Sequence, residues 1–301
     1  MRHWIFILFL ICGCGKKTDH QPVPQQERTG VISVVAVNYP LRYFAERIGG
    51  ELVNVRLPVP AGEDPADWRP EKGELRGFVE KVRAAELILL NGAGYAKWIK
   101  AGEWREAQLV HTSGAIRDSL IRVGKEEGIR HKHGGREHSH AGLAYTIWLD
   151  PVLAVKQAEA VAKALSRVRP GKAKVFAENL ELLRKDLEGL SLPTVKQPLI
   201  ASHPVYQYLE RRMNLNLKSV HWEPGTVPDE EGWQALKTML EEHKAKVMIW
   251  EGEPMAETAK RLKELGMEPV VFAPLGNAPA EGDYLSAMRE NLTRLKAATG
   301  E

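Results

Sequence analysis

The sequence predicts an α/β protein of two α/β lobes joined by one long linking helix. Three observations carry this expectation. Short apolar runs alternate with helical periodicity in the first half, the same alternation returns in the second half, and a long helical stretch lies between them. The 301 residues, 44% hydrophobic and 27% charged, are enough for two cores of ordinary size.

Taken in order, residues 31–37 form an apolar, β-rich run, 41–48 carry apolar residues at helical spacing, and 52–59 are extended again, which makes a β-α-β beginning. A helix over 74–85 leads to Leu87-Ile88-Leu89-Leu90, a continuous apolar run of the kind buried on both faces of a parallel sheet. Residues 108–112 supply a further strand. In the second half, 198–201, 247–250 and 269–272 read as strands, and helices fit 205–213, 230–242, 255–265 and 284–297. Between the halves, 151–190 is helical except at Pro170-Gly171. Proline inside a helix removes a hydrogen bond, so the linking helix is placed after it, over 171–190, a span of about 30 Å. The limits that follow are 31–150 for the N-terminal lobe, 151–191 for the helical segment with the linking helix, and 192–301 for the C-terminal lobe.

The formal net charge of +3 comes from interspersed acidic and basic residues. No field of one sign attracts nucleic acid or an anionic membrane, and no nucleic-acid partner is expected. The amino terminus points instead to export. Arg2 precedes an apolar run over 4–11, which has the length of a signal-peptide core and is too short for a ~30 Å hydrocarbon layer. The run leads into Ile11-Cys12-Gly13-Cys14, which resembles the bacterial lipobox, so 1–14 is read as a signal peptide with lipobox and Cys14 as the lipidated residue. Acyl chains there, each methylene gaining roughly 0.8 kcal/mol, would hold the protein at a membrane surface. The alternative is a cleaved secretory peptide with two incidental cysteines. No cysteine follows Cys14, so neither disulfides nor a thiolate site is expected, and polar 15–30, with Pro22 and Pro24, reads as a tether.

Three constellations stand out chemically. His131, His133, His138 and His140 lie among Gly, Lys, Arg and Ser, a loop-like tract whose neutral imidazoles suit Zn, Cu or Ni, or whose histidines hold metal weakly or not at all. Ser202-His203-Pro204 falls where a buried strand gives way to a helix, the crevice position of ligand sites in α/β sheets; the alternative role of His203 is to cap that helix. Glu251 follows the strand ending at Trp250, one β-α unit later, so it and His203 can converge. The plain alternative is an exposed carboxylate beside a helix start. No phosphate loop, nucleotide fingerprint or nucleophile elbow is present, and enzymatic activity is not expected.

At these residues the chain resembles the zinc and manganese substrate-binding proteins of ABC importers. The marks are Tyr39-Pro40-Leu41 with Phe44-Ala45, Gly62-Glu63-Asp64-Pro65, Asn91-Gly92, Trp148-Leu149-Asp150-Pro151, Ser202-His203, Tyr208, Glu251, and Tyr284 with Asn291. The resemblance implies two lobes with a metal in the cleft between them, a permease as partner, a monomer anchored in the cell envelope, and a transported Zn or Mn ion with no organic cofactor. A metal buffer or adhesin-like module on the same fold, or an importer component for another solute, is the alternative. Two positions depart from the family pattern: Ala66 stands where a histidine follows Asp-Pro, and Thr146 where a histidine precedes the tryptophan by two. Three readings stay open. His138 or His140 folds into the cleft beside His203 and Glu251, Asp64, Asp67 or Glu63 supplies harder oxygen ligands, or the cleft has changed ligand.

Overall fold

The computed structural model describes residues 30–123, 131–133, 136–138 and 142–300, the two three-residue pieces by their backbone alone. The elements are β1 (Ile32–Ala36), α1 (Tyr39–Gly49), β2 (Val53–Arg56), α2 (Leu75–Arg83), β3 (Leu87–Leu90), β4 (Leu109–His111), β5 (Arg122–Val123), β6 (His131–His133), β7 (Arg136–His138) and β8 (Gly142–Leu143). The long helices α3 (Pro151–Val168) and α4 (Ala173–Glu188) follow. The second half holds β9 (Leu199–Ala201), α5 (Gln207–Met213), β10 (Leu217–Ser219), α6 (Glu230–Glu242), β11 (Val247–Trp250), α7 (Ala256–Glu264), β12 (Glu268–Val271) and α8 (Tyr284–Thr299).

Two four-stranded parallel sheets form, in the orders β2-β1-β3-β4 and β10-β9-β11-β12. Their central strands are continuously apolar and buried, as Leu87-Ile88-Leu89 and Val247-Met248-Ile249-Trp250 show, because helices cover both faces. The strand order turns back between β1 and β3 and again between β9 and β11. Each sheet therefore opens a crevice at the carboxyl ends of its central pair.

The helical stretch is broken where Pro170 and Gly171 stand. A short 3-10 turn, Pro170–Lys172, separates α3 from α4, and the two helices lie side by side. Asp150 caps α3, accepting from the Val152 amide at 2.9 Å, and Pro151 occupies the first turn, where its missing donor costs nothing. From the far end of the first lobe, α4 carries the chain back toward β9 over 16 residues, about 24 Å. Arg184 on α4 meets Glu159 on α3 at 2.8 Å, and Arg47 on α1 meets Asp186 at 2.5 Å.

One apolar core runs through both lobes, joining Ile32, Phe44 and Leu87 of the first to Leu199, Phe272 and Tyr284 of the second. Polar bonds reinforce the seam. The Tyr284 hydroxyl donates to the Trp148 carbonyl at 2.6 Å, and the Trp148 indole donates to the Pro274 carbonyl at 2.6 Å. The Asn277 amide donates to the carbonyls of Pro60 and Glu63 at 2.7 and 2.9 Å, tying the segment that carries Asp64 to the second lobe.

The histidine tract differs from the loop its composition suggests. His131–His133 and Arg136–His138 form an antiparallel ladder, with His131 opposite His138. Cross-strand backbone pairing outweighs the polar composition there.

Candidate metal centre

His203 lies two residues beyond β9 and is 2% exposed. It does not cap the following helix, because the residue before α5 is Tyr206. Its Nδ1 stands 2.8 Å from the Oε1 of Glu251, which follows β11 directly. The convergence expected from two adjacent strand ends is present.

Sequence reasoning missed His221 and Glu223. Both follow β10, the strand on the other side of β9. Beyond the strand proper, the Val220 amide donates to the Ala201 carbonyl at 2.9 Å and the Trp222 amide to the Ser202 carbonyl at 2.7 Å. Pairing thus continues alongside His203. Alternation then sends Trp222 into a core with Trp233 and Trp250 and leaves His221 and Glu223 on the opposite side of the segment. The Oε1 of Glu223 lies 3.7 Å from the Nε2 of His203, and the rings of His203 and His221 are 5.7 Å apart at 84°. The crevice rule that singled out His203 would have found both residues had β10 been recognised as a strand.

The first lobe contributes Asp64, Asp67, Tyr95 and Tyr145. One oxygen of Asp64 accepts the Ala66 amide at 2.9 Å, closing a turn of the kind aspartate favours, and Asp67 pairs with Lys97. Tyr145 and Tyr95 cross edge to face at 5.3 Å, and Tyr95 meets Trp148 at 5.6 Å. Burial above all pushes the Tyr145 hydroxyl well above the ordinary tyrosine range, and Asp64, Glu251, Asp67 and Glu223 all push it further. Carboxylates of both lobes therefore act on one buried phenol.

The two departing positions serve the scaffold. Ala66 is 6% exposed, its methyl in the main core and its carbonyl accepting the Lys97 amide at 3.2 Å. The Thr146 hydroxyl donates to the Val205 carbonyl across the seam. Of the histidine tract, His138 is placed by its backbone in β7, whereas His140 and the lipidation candidate Cys14 lie outside the described residues. The tract leaves from β5 and returns to β8, and Val123 and Leu143 there line a groove with Tyr145, Thr146 and Pro204. Among the described residues no three His, Cys, Asp or Glu side chains are arranged, as they stand, to hold a metal ion. No helix among them is long and apolar enough to cross a membrane.

Comparison with known proteins gives a consistent family. The chain is 28% identical over 297 residues to the zinc-binding lipoprotein AdcA of Streptococcus pneumoniae, a match covering 92% of this chain and 58% of that protein. It is 28% identical to the high-affinity zinc uptake system protein ZnuA of Bacillus subtilis, covering 95% of this chain and 93% of that one. The fold matches the crystal structure of the Zn(II)-bound ZnuA-like domain of S. pneumoniae AdcA with a TM-score of 0.74 at 22% identity, over 90% of this chain and all of that domain. The family model described as ZnuA, zinc-uptake complex component A, periplasmic, matches residues 34–298, so this chain belongs to that family.

Proposed function

We propose that this protein is the substrate-binding component of a metal ABC importer, capturing a divalent cation, zinc or manganese, outside the cytoplasmic membrane and delivering it to the permease. The observation that carries the reading is the buried His203, 2.8 Å from Glu251 at the crevice end of a parallel sheet, in a cleft bordered by carboxylates of both lobes. Family membership supports the transport role, and the transported ion is the ligand rather than a resident cofactor. Asp64 borders the same cleft from the first lobe, and the domain limits at 31–150, 151–191 and 192–301 belong to this reading. The protein acts as a monomer, anchored through lipid on Cys14.

Metal analysis of the purified protein, followed by titration with zinc and manganese, tests the reading. The wild type is expected to take up one ion per chain and His203→Ala none above background, because a binding site loses a bond it cannot replace. A wild type that binds neither ion refutes it. For the anchor, Cys14→Ser is expected to leave the membrane fraction; a processed variant that stays membrane-bound after washing refutes the lipidation.

A further inference from the structure

We infer that Gln157, on α3, is a positioning residue for the ion site: its amide orients Asn91, and Asn91 fixes Tyr145 at the wall of the cleft. This rests on the metal-binding reading above and adds the residues that shape the site from behind.

Gln157 is fully buried on α3 among alanines, valines and leucines. An amide in such surroundings costs stability unless its bonds are made. Its Nε2 makes two, donating to Asn91 Oδ1 at 3.0 Å and to Thr112 Oγ1 at 3.1 Å. The Thr112 hydroxyl spends its own proton on the Leu90 carbonyl at 2.8 Å, so toward Gln157 it accepts, and this fixes which end of the Gln157 amide faces it. Oε1 of Gln157 has no partner among the described residues. The fold thus keeps both donors at the expense of the acceptor, which points to what the donors hold.

Asn91 is buried and follows β3 at the crevice end of the first sheet. Because its Oδ1 accepts from Gln157, its Nδ2 is turned to the Tyr145 carbonyl, to which it donates at 2.8 Å. Rotated by half a turn, Asn91 would set its oxygen against that carbonyl and its amino group against the Gln157 donors. Gln157 therefore makes one of the two orientations of Asn91 the satisfied one. Tyr145 carries this order into the cleft. Its ring crosses that of Tyr95 at 5.3 Å, carboxylates of both lobes act on its hydroxyl, and it lines one groove with Pro204, the neighbour of His203. The path from α3 to the cleft wall is unbroken.

The test is titration of the purified, folded protein with Zn²⁺ in competition with a chromophoric chelator. Gln157→Met keeps the length of the side chain and removes both donors, and it is expected to weaken binding about tenfold, as loss of an outer supporting group does. Gln108→Met is the structural control. Gln108 is also buried, but it donates to the Ala85 carbonyl at 2.7 Å, at the opposite end of β3, so its loss should lower stability and leave the affinity unchanged. Asn91→Leu should weaken binding at least as much as Gln157→Met, and the double variant no more than Asn91→Leu alone, since Gln157 acts through Asn91. The wild type supplies a measurement that needs no variant to fold: the side-chain amide signals of Gln157 and Asn91 should shift in a ¹H–¹⁵N spectrum on saturation with Zn²⁺, while that of Gln108 stays. Wild-type affinity in Gln157→Met, an equal loss in Gln108→Met, additive losses in the double variant, or an unmoved Gln157 signal overturns the positioning role and leaves the metal-binding reading intact. A wild type that binds neither zinc nor manganese overturns both.

Discussion

Replacing Tyr284 by Phe removes one oxygen atom from the seam between the lobes. Tyr284 is fully buried, and its hydroxyl donates at 2.6 Å to the carbonyl of Trp148, itself 1% exposed. The ring keeps its contacts with Phe44 at 5.5 Å and Tyr43 at 5.6 Å, so no large cavity opens. What is lost is a buried hydrogen bond, and what remains is a carbonyl deprived of that donor, a cost of about 1–3 kcal/mol. Tyr43→Phe is the internal control. Its hydroxyl bridges Arg47 at 2.6 Å and Asp283 at 3.2 Å, but Arg47 retains Asp186 and Asp283 retains Ser286, so a cost below about 1 kcal/mol is expected. Urea unfolding followed by tryptophan fluorescence reads both. Because one core joins the lobes, a single transition is expected, with the Tyr284→Phe midpoint clearly below that of Tyr43→Phe. Equal midpoints, or separate transitions for the two lobes, would refute the view that the seam is a continuous part of the folded core.

Two further outcomes follow from the same geometry. Burial raises all seven tyrosines above their ordinary range, Tyr43 to about 12 even though Arg47 pulls the other way. The unfolded chain therefore loses these protons first, so the contribution is complete below pH ~10 and falls as pH rises toward the folded values, by about 1.4 kcal/mol per pH unit for each of Tyr206 and Tyr284. A phenolate absorbance that rises smoothly near pH 10 without loss of tertiary structure would contradict this. Gly92→Ala should destabilise far more than Gly62→Ala, by differential scanning calorimetry. Both backbones are left-handed, at φ 85° and 82°, but a Cβ at 92 meets the Ser113 hydroxyl at 2.0 Å whereas one at 62 meets nothing within 4 Å.

The sheets were legible because their central strands are apolar without interruption, a pattern that survives any choice of facing. Leu217–Ser219 was not legible. It is an edge strand, only partly buried and interrupted by Lys218, and three residues are too few for a period to show. Missing it concealed His221 and Glu223, since the crevice argument applies only where a strand is recognised. His203 and Glu251 follow long apolar runs and could be placed. Asp64 could be named from its Asp-Pro context, but no pattern in the chain announces that its carboxylate closes a turn onto Ala66 or that Asn277 clamps the segment from the other lobe. The Asn277 contacts join residues more than two hundred positions apart and depend on the assembled seam.

The two sheets share one strand order, and the match extends to individual positions. Asn38 stands two residues past β1 as His203 stands two past β9, and Asn91 directly follows β3 as Glu251 directly follows β11. One frame thus occurs twice, with amides at the first pair of addresses and ionisable groups at the second. Asn38 caps α1 through the Leu41 amide at 3.1 Å, and Asn91 holds the Tyr145 carbonyl at 2.8 Å while accepting from Gln157 at 3.0 Å. The first copy has turned these addresses inward, to fasten its own backbone; the second has kept titratable side chains at them. One frame used twice therefore carries unlike chemistry at equivalent addresses. Exchanging the two pairs would cost the first copy the bonds that fasten α1 and the Tyr145 backbone.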